Sequence, residues 1–445
     1  MLTRGKTAVI AVPLDPPPTA PPEPSSADQF LYRAARQARN QAGYHGYLLL
    51  FHGSPPSVER VRDHVAATAP RVPAWAYRVA ERRGRLAWEA VGDADPRLHV
   101  HELRLAAGPD PVGRAADALL GLPFPETAPD WGVWLVHGWA PDEYGLCYRV
   151  HHALQDGMGG AAAVGALFGT GDRPLPLTVP VEAEPPLKVG QLAAMLAADI
   201  FAAVRHTARW TPGLRPPGAH RTMHHTHVEV ERLRRLGKAA GATLNQVYLA
   251  ATAGALRAWS PADWNAESRS AGSPGAQRRF GQRHLHAFMP LDTRPAGVEP
   301  AALGNHMAML RIPLPCAEPD PRRRLASVVR DARATPERRT ATRAGLRALP
   351  RTGAALIRYF FGPRRTALTV TNIRIPDGLS FGTDPVTASI GLPALLLGHA
   401  LMVGLSSYGP DAGVFFISDR GDPDPAALPG LWLAALAELE DAHGC

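Results

Sequence analysis

Cysteine is scarce: three residues in 445, Cys147, Cys316 and Cys445, an odd number with no Cys-x-x-Cys pair. That excludes a disulfide framework and a cysteine-based zinc site, and reduced thiols in a chain this long fit the cytosol. Long apolar runs are equally scarce. The best candidate, 385–410, carries no Asp, Glu, Lys or Arg, but Gly391, Pro393, Gly398, His399 and Gly404 interrupt it. It falls short of a span of about 20 continuous apolar residues, so buried strands and turns are expected there. Near the N-terminus the apolar stretch 7–12 is too short for a signal-peptide core and runs into Pro13 and Pro16–Pro18, which predicts a polyproline tail. There is no repeat of fixed period, no HExxH zinc helix and no GxSxG serine elbow.

What remains is ordinary globular material. Hydrophobic residues make up 45% and charged residues 20%, and the 42 glycines and 45 prolines stay below the level of a disordered polymer. A chain of 445 residues exceeds what one core organises, so two domains are expected. The net charge of +8 favours an anionic ligand, carrier or surface as partner.

Pro174, Pro176, Pro180, Pro185 and Pro186 cluster beside two glutamates, a linker composition. The expected organisation is a proline-rich tail at 1–26, a first subdomain at 27–172, a linker at 173–189 and a second subdomain at 190–445. Short apolar runs between glycines, such as 46–53, 132–138 and 144–150, read as strands. Apolar residues at helical spacing, as in 27–40, 56–67, 112–120 and 243–259, read as helices. The fold class that follows is α/β layering in two halves.

The chemistry concentrates in His151-His152-Ala153-Leu154-Gln155-Asp156-Gly157, followed by Met158-Gly159-Gly160 and an apolar helix at 161–168. Neighbouring strand residues point to opposite faces, so one histidine is expected to face a cleft while the other packs or orients. A neutral imidazole there can take a proton from a hydroxyl or amine attacking a carbonyl. Asp156 can hold a local turn or pair with an arginine. The glycines let the backbone approach a reacting carbonyl, and N–H groups at a helix start tolerate developing negative charge.

Two rival readings of this stretch fare worse. Gly157-x-Gly159-x-x-Ala162 formally matches a dinucleotide turn, but six residues separate it from the strand end at Val150 and no acidic strand end follows. A metal site drawing on His151, His152, Asp156, His224, His225 and His227 is opposed by the divergent faces of His151 and His152. No metal is expected.

HHALQDGMGG resembles the HHxxxDG motif of condensation-domain and chloramphenicol-acetyltransferase-like acyltransferases. The chain resembles more closely the bacterial wax ester synthase/diacylglycerol acyltransferases. The helix 241–257, GATLNQVYLAATAGALR, is similar to that family's GATVNDVVLAAVAGALR, with Gln246 in place of its aspartate. Phe288–Arg294 with Leu303-Gly304-Asn305-His306 resembles its PVSLR…LGNR region, Thr369–Ile373 stands where it has SNVPGP, and 407–424 resembles its closing SYxG…D…PD portion.

The resemblance implies two chloramphenicol-acetyltransferase-like subdomains of mixed sheets with flanking helices, and an active-site tunnel between them. It makes His152 the general base, His151 its support, Asp156 a structural partner of Arg294, and Gly157 part of the oxyanion region. Asn245, Gln246, Asn305, Asn372 and Arg294 would serve substrate binding. The donor would be an acyl thioester on coenzyme A or an acyl carrier protein, used as co-substrate with no resident cofactor. The acceptor would be an alcohol or amine, giving a lipid or a specialised-metabolite ester or amide.

Thirteen arginines stand against Asp331 and Glu337 between 321 and 365, interleaved with apolar residues. A solvated helix face competes there with a surface for anionic lipid, coenzyme A phosphates or an acidic carrier protein. No nucleic-acid module accompanies them, and nucleic acid is not an expected partner. A cytoplasmic location, with peripheral membrane contact through this segment, is the expectation. The alternative function is a non-catalytic condensation-like module docking a carrier protein or an anionic membrane.

Overall fold

A computed structural model describes residues 23–37, 43–91, 95–124, 130–178, 221–264, 284–294, 298–300, 303–332, 365–394, 398–419 and 423–445, with the isolated residues 21, 190, 210, 212 and 362. Most of the proline tail and of the linker lies outside these residues, as does most of the arginine-rich segment.

The first half runs α1 (Ser26–Gln37), β1 (Tyr44–His52), α2 (Val58–Thr68), β2 (Tyr77–Arg82), β3 (Arg85–Ala90) and β4 (Val100–Arg104). It continues with α3 (Pro111–Gly121), β5 (Trp131–His137), β6 (Glu143–His151) and α4 (Gly157–Phe168). The second half begins with β7 (Arg221–Glu229), α5 (Val230–Ala240), α6 (Leu244–Trp259), β8 (Leu285–Asp292), β9 (Met307–Leu314) and α7 (Pro321–Asp331). It ends with β10 (Leu368–Arg374), β11 (Ser380–Phe381), β12 (Asp384–Leu392), β13 (Leu401–Tyr408), β14 (Asp411–Asp419) and α8 (Leu428–His443).

Two mixed six-stranded sheets form, in the orders β11-β12-β1-β6-β5-β4 and β7-β14-β13-β10-β8-β9. In the first, β1 lies antiparallel between β6 and β12, with Tyr47 opposite Tyr148 on one side and Gly391 on the other. In the second, β10 runs parallel to both β8 and β13.

Alternation along the strands builds three cores rather than two. Tyr47, Leu49 and Phe51 point into a core with α2 and α4, while Leu48 between them points the other way. Val414 and Phe416 face a core with α6 and α8, while Phe415 and Ile417 face away from it. Leu48, Ile390, Met402, Phe415 and Ile417 meet in the third core, which glues one sheet to the other. Each fully buried aliphatic or aromatic side chain contributes about 1.5–3 kcal/mol, so this interface is a strong one.

The first sheet reaches past the expected linker for two of its strands. β11 and β12 belong by sequence to the segment 190–445, yet they complete the first sheet, with β12 paired to β1 from Gly46 opposite Leu392 to Phe51 opposite Val386. The apolar run was visible in sequence, but its partner strand lies some 340 positions away and leaves no local mark. α4 starts at Gly157, four residues before the expected Ala161. Asp156 caps it by accepting from the Gly159 N–H at 2.8 Å. A β-carbon at Gly160 would stand 2.9 Å from His45 and 3.1 Å from Tyr47, so the glycines here let a helix lie directly on β1.

Candidate active site

A cavity of about 1120 Å³, mouth included, opens between the two sheets. Its walls bring together His45 and Tyr47 from β1, His152 and Gly157 from the turn before α4, Arg294 after β8, Asn372 on β10, and Gly391, Leu392 and Phe415 from β12 and β14. Ser406 on β13 also lines it.

The divergence expected of the two histidines is present. His151 ends β6 and is buried, its Nδ1 accepting from the Ala153 N–H at 3.1 Å and its ring standing edge-on to Tyr44 at 5.1 Å. Burial pushes its imidazole down to about 3, so it stays neutral and braces the turn from beneath. His152, one residue on, lines the cavity. Burial lowers its pKa too, which keeps the ring neutral, with a free lone pair, at neutral pH.

His152 is held from the far side of the fold. Its Nδ1 lies 3.0 Å from Asn305 Oδ1, and the Asn305 amide nitrogen donates to the His152 carbonyl at 2.7 Å and to Asp28 Oδ1 at 2.7 Å. Asn305 sits in the 303–306 connection between β8 and β9, where Gly304 takes a positive φ of 80°. That conformation favours glycine, and it lets the Gly304 N–H donate to the Leu154 carbonyl at 2.7 Å. The second half thus clamps the histidine turn of the first.

Asp156 is the other tie. Arg294 Nη2 donates to both its oxygens, at 3.0 and 2.9 Å, and the His306 N–H donates to Oδ2 at 2.8 Å. Burial alone would raise this carboxyl; Arg294 and the amide donors bring it below its usual value. Arg294 also donates to Asp292 Oδ1 at 2.9 Å. Although Arg294 lines the cavity, its guanidinium is committed to these two carboxylates.

Three residues named from sequence sit differently from one another. Asn372 is on the cavity wall and donates weakly to Asn245 Oδ1 at 3.4 Å, while Asn245 stands behind it against Met289. Gln246 does not line the cavity. Its side chain accepts from the Thr243 N–H at 2.9 Å, closing a capping box at the start of α6, and its amide donates to the Val329 carbonyl at 3.4 Å. Gln246 therefore fits helix capping rather than substrate binding, and spacing on a helix start cannot tell the two apart. Gln246→Ala is expected to cost about 1 kcal/mol or less in denaturant titration and to leave transfer kinetics unchanged.

Sequence reasoning missed His45, Tyr47 and the role of Asp28. His45 Nε2 lies 2.9 Å from the Gln155 carbonyl, its ring 4.7 Å from that of His152, and burial drives its pKa down to about 3. Tyr47 donates to the Gly157 carbonyl at 2.5 Å. Both lie on one buried strand and look like core in sequence. Among the described residues, no group of three or more His, Cys, Asp or Glu is placed to hold a metal ion, and no helix is long and apolar enough to cross a membrane.

The chain resembles known proteins along most of its length. The wax ester synthase/diacylglycerol acyltransferase catalytic domain matches residues 25–198, and the C-terminal domain of the same family matches 303–440. An inferred diacylglycerol O-acyltransferase of Mycobacterium tuberculosis (strain CDC 1551 / Oshkosh) is 29% identical over 192 residues, 35% of this chain and 38% of that relative. The match thus spans well under half of the relative's length. Among solved structures, the wax ester synthase/diacylglycerol acyltransferase of Marinobacter aquaeolei VT8 superimposes with a TM-score of 0.64 at 19% identity, covering 95% of this chain and 100% of that one. The first condensation domain of the CDA synthetase gives a TM-score of 0.61 at 18% identity, over 94% and 96% of the two chains. The starter condensation domain of rhizomide synthetase, solved with C8-CoA and Leu-SNAC, gives 0.61 at 17% identity, over 95% and 94%. These likenesses establish the two-subdomain, mixed-sheet fold. With the family's catalytic and C-terminal domains together matching more than half of its residues, the chain belongs to the wax ester synthase/diacylglycerol acyltransferase family.

Proposed function

We propose that this protein is an O-acyltransferase that moves an acyl group from a coenzyme A or carrier-protein thioester to an alcohol, with His152 as general base; an amine acceptor is the variant of the same reaction. The observation that carries the reading is a neutral imidazole on the wall of an inter-sheet cavity, its Nδ1 engaged by Asn305. In the step, His152 Nε2 takes the acceptor's O–H proton as the oxygen forms a bond to the thioester carbonyl carbon. The carbonyl π pair moves onto oxygen, close to the N-terminus of α4 at Gly157, where helix N–H groups favour negative charge. Collapse of this adduct re-forms C=O and breaks the C–S bond, and the thiolate leaves with the proton from the imidazolium. Products are an ester and a free thiol, with no covalent acyl-enzyme. The test is release of free thiol from acyl-coenzyme A by purified protein with a panel of alcohols and amines, products read by mass spectrometry. Absence of release across acyl-coenzyme A and acyl-carrier donors would favour the binding-module alternative.

Acyl or acceptor length should answer to Phe415. Its ring lines the cavity and lies over Gly404, its cross-strand partner, and against Gly391; a β-carbon on Gly404 would collide with it. Phe415→Ala is expected to lengthen the cavity between the sheets and to raise relative kcat/KM for longer substrates. It should also cost about 3–5 kcal/mol of stability, as for other buried aromatics. A length profile identical to wild type would place the chain elsewhere.

A further inference from the structure

Asp28, at the start of the described chain, is nearly inaccessible at 2% exposure and faces no arginine or lysine among the described residues. One of its oxygens has a local task. Oδ2 accepts from the Ser25 N–H at 2.6 Å while the Asp28 N–H donates to Ser25 Oγ at 3.2 Å, a capping box opening α1. A cap of this kind needs one oxygen at the helix end. Oδ1 instead reaches across the fold, accepting from Asn305 through both its backbone N–H at 2.9 Å and its side-chain amide at 2.7 Å.

The consequence is set by hydrogen-atom counting. The Asn305 amide nitrogen has two hydrogens, and they go to Asp28 Oδ1 and to the His152 carbonyl. The amide oxygen is therefore the atom turned toward the His152 ring, and an oxygen can only accept. Nδ1 must carry the proton, and the lone pair is left on Nε2, the nitrogen able to act as a base.

We infer that Asp28 is a positioning residue for acyl transfer: through Asn305 it selects the tautomer of His152 and favours the imidazolium that forms when the ring takes a proton. The inference rests on the reading of His152 as base. The electrostatic half follows from sign. A carboxylate two hydrogen bonds from a developing cation stabilises it, and the effect is large where little water screens it. The hydrogen-bond partners of the Asp28 carboxyl, Ser25 and Asn305, are uncharged, and Gly304 passes beside it. Burial accordingly pushes its pKa up to about 6. The charge is present above that pH and lost below it.

The experiment uses the full-length protein and three readouts. In wild type, 15N-labelled His152, identified by its absence in His152→Ala, should show the Nδ1–H tautomer. Asp28→Asn keeps the side chain's shape and, through its one oxygen, the bond to Asn305, but removes the charge and the acceptor for the Ser25 N–H, so denaturant titration accompanies the kinetics. The variant should lower kcat about tenfold or more with KM within about twofold, and should flatten the fall in kcat that wild type shows as pH drops through about 6. Asn305→Ala cuts the link between carboxyl and ring; it should lose at least as much kcat, and adding Asp28→Asn to it should cost little more. Wild-type kcat and pH profile in Asp28→Asn, additive losses in the double variant, or the opposite tautomer in wild type would each overturn the inference. Failure of the base reading shows up separately, as an active His152→Ala.

Discussion

Replacement of His152 by alanine is expected to reduce acyl transfer by about a hundredfold or more while the protein stays folded. The ring stands on the cavity wall, and its side-chain hydrogen-bond partner, Asn305, remains tied to Asp28 when the ring is gone. Nothing in the three cores depends on it. The contrast is with His151, one position earlier. That ring is buried against Tyr44 and braces Ala153, so His151→Ala should cost about 2–5 kcal/mol in stability, in the range of other buried truncations, before it touches the chemistry. Thiol release and denaturant titration on both variants separate the roles. A His152→Ala protein within a few-fold of wild-type turnover would falsify the general-base assignment. His45, the nearest imidazole, has Nε2 bound to the Gln155 carbonyl and a pKa driven down to about 3 by burial.

Much of the molecule is legible from local pattern. The strands 46–53, 132–138 and 144–150 and the helix 243–259 appear within a few residues of their predicted limits, because each carries its period and its flanking glycines with it. The histidine turn is legible too, since one residue of offset at a strand end forces two adjacent rings onto opposite faces. Long-range facts were hidden for an equally physical reason. That β12 pairs with β1, or that Asp28 meets Asn305, depends on chain segments hundreds of residues apart, and no spacing rule encodes it. Asp28 in particular reads as a helix-start acid, which it is, and only its second oxygen is remarkable for where it goes. Gln246 shows the converse. Its position beside Asn245 invited a substrate role, but the residue third into a helix is also where a capping box is completed, and local geometry favoured the cap.

Asp156→Ala should cost about 3–5 kcal/mol of stability by denaturant titration near neutral pH. A buried ion pair contributes little net energy while intact, because desolvating both charges offsets their attraction; breaking it strands a charge, which is where the cost lies. Asp156 serves three donors at once, the Arg294 guanidinium, the Gly159 N–H that opens α4 and the His306 N–H of the clamping connection. Its loss therefore uncaps a helix and removes one of the ties between the two halves at the histidine turn. Arg294→Ala should cost less, since Asp156 keeps both backbone donors and the helix N-terminus, and only Asp292, more exposed, loses its partner. The sign of the pH dependence follows from the depressed pKa of Asp156. Its contribution is complete above the unfolded carboxyl value of about 3.9 and fades as pH falls through the lower folded value, so wild type and Asp156→Ala should converge only in acid. A variant within about 1 kcal/mol of wild type at pH 7, or a gap that persists undiminished near pH 2, would show that the two lobes are joined at the histidine turn by something other than this carboxylate.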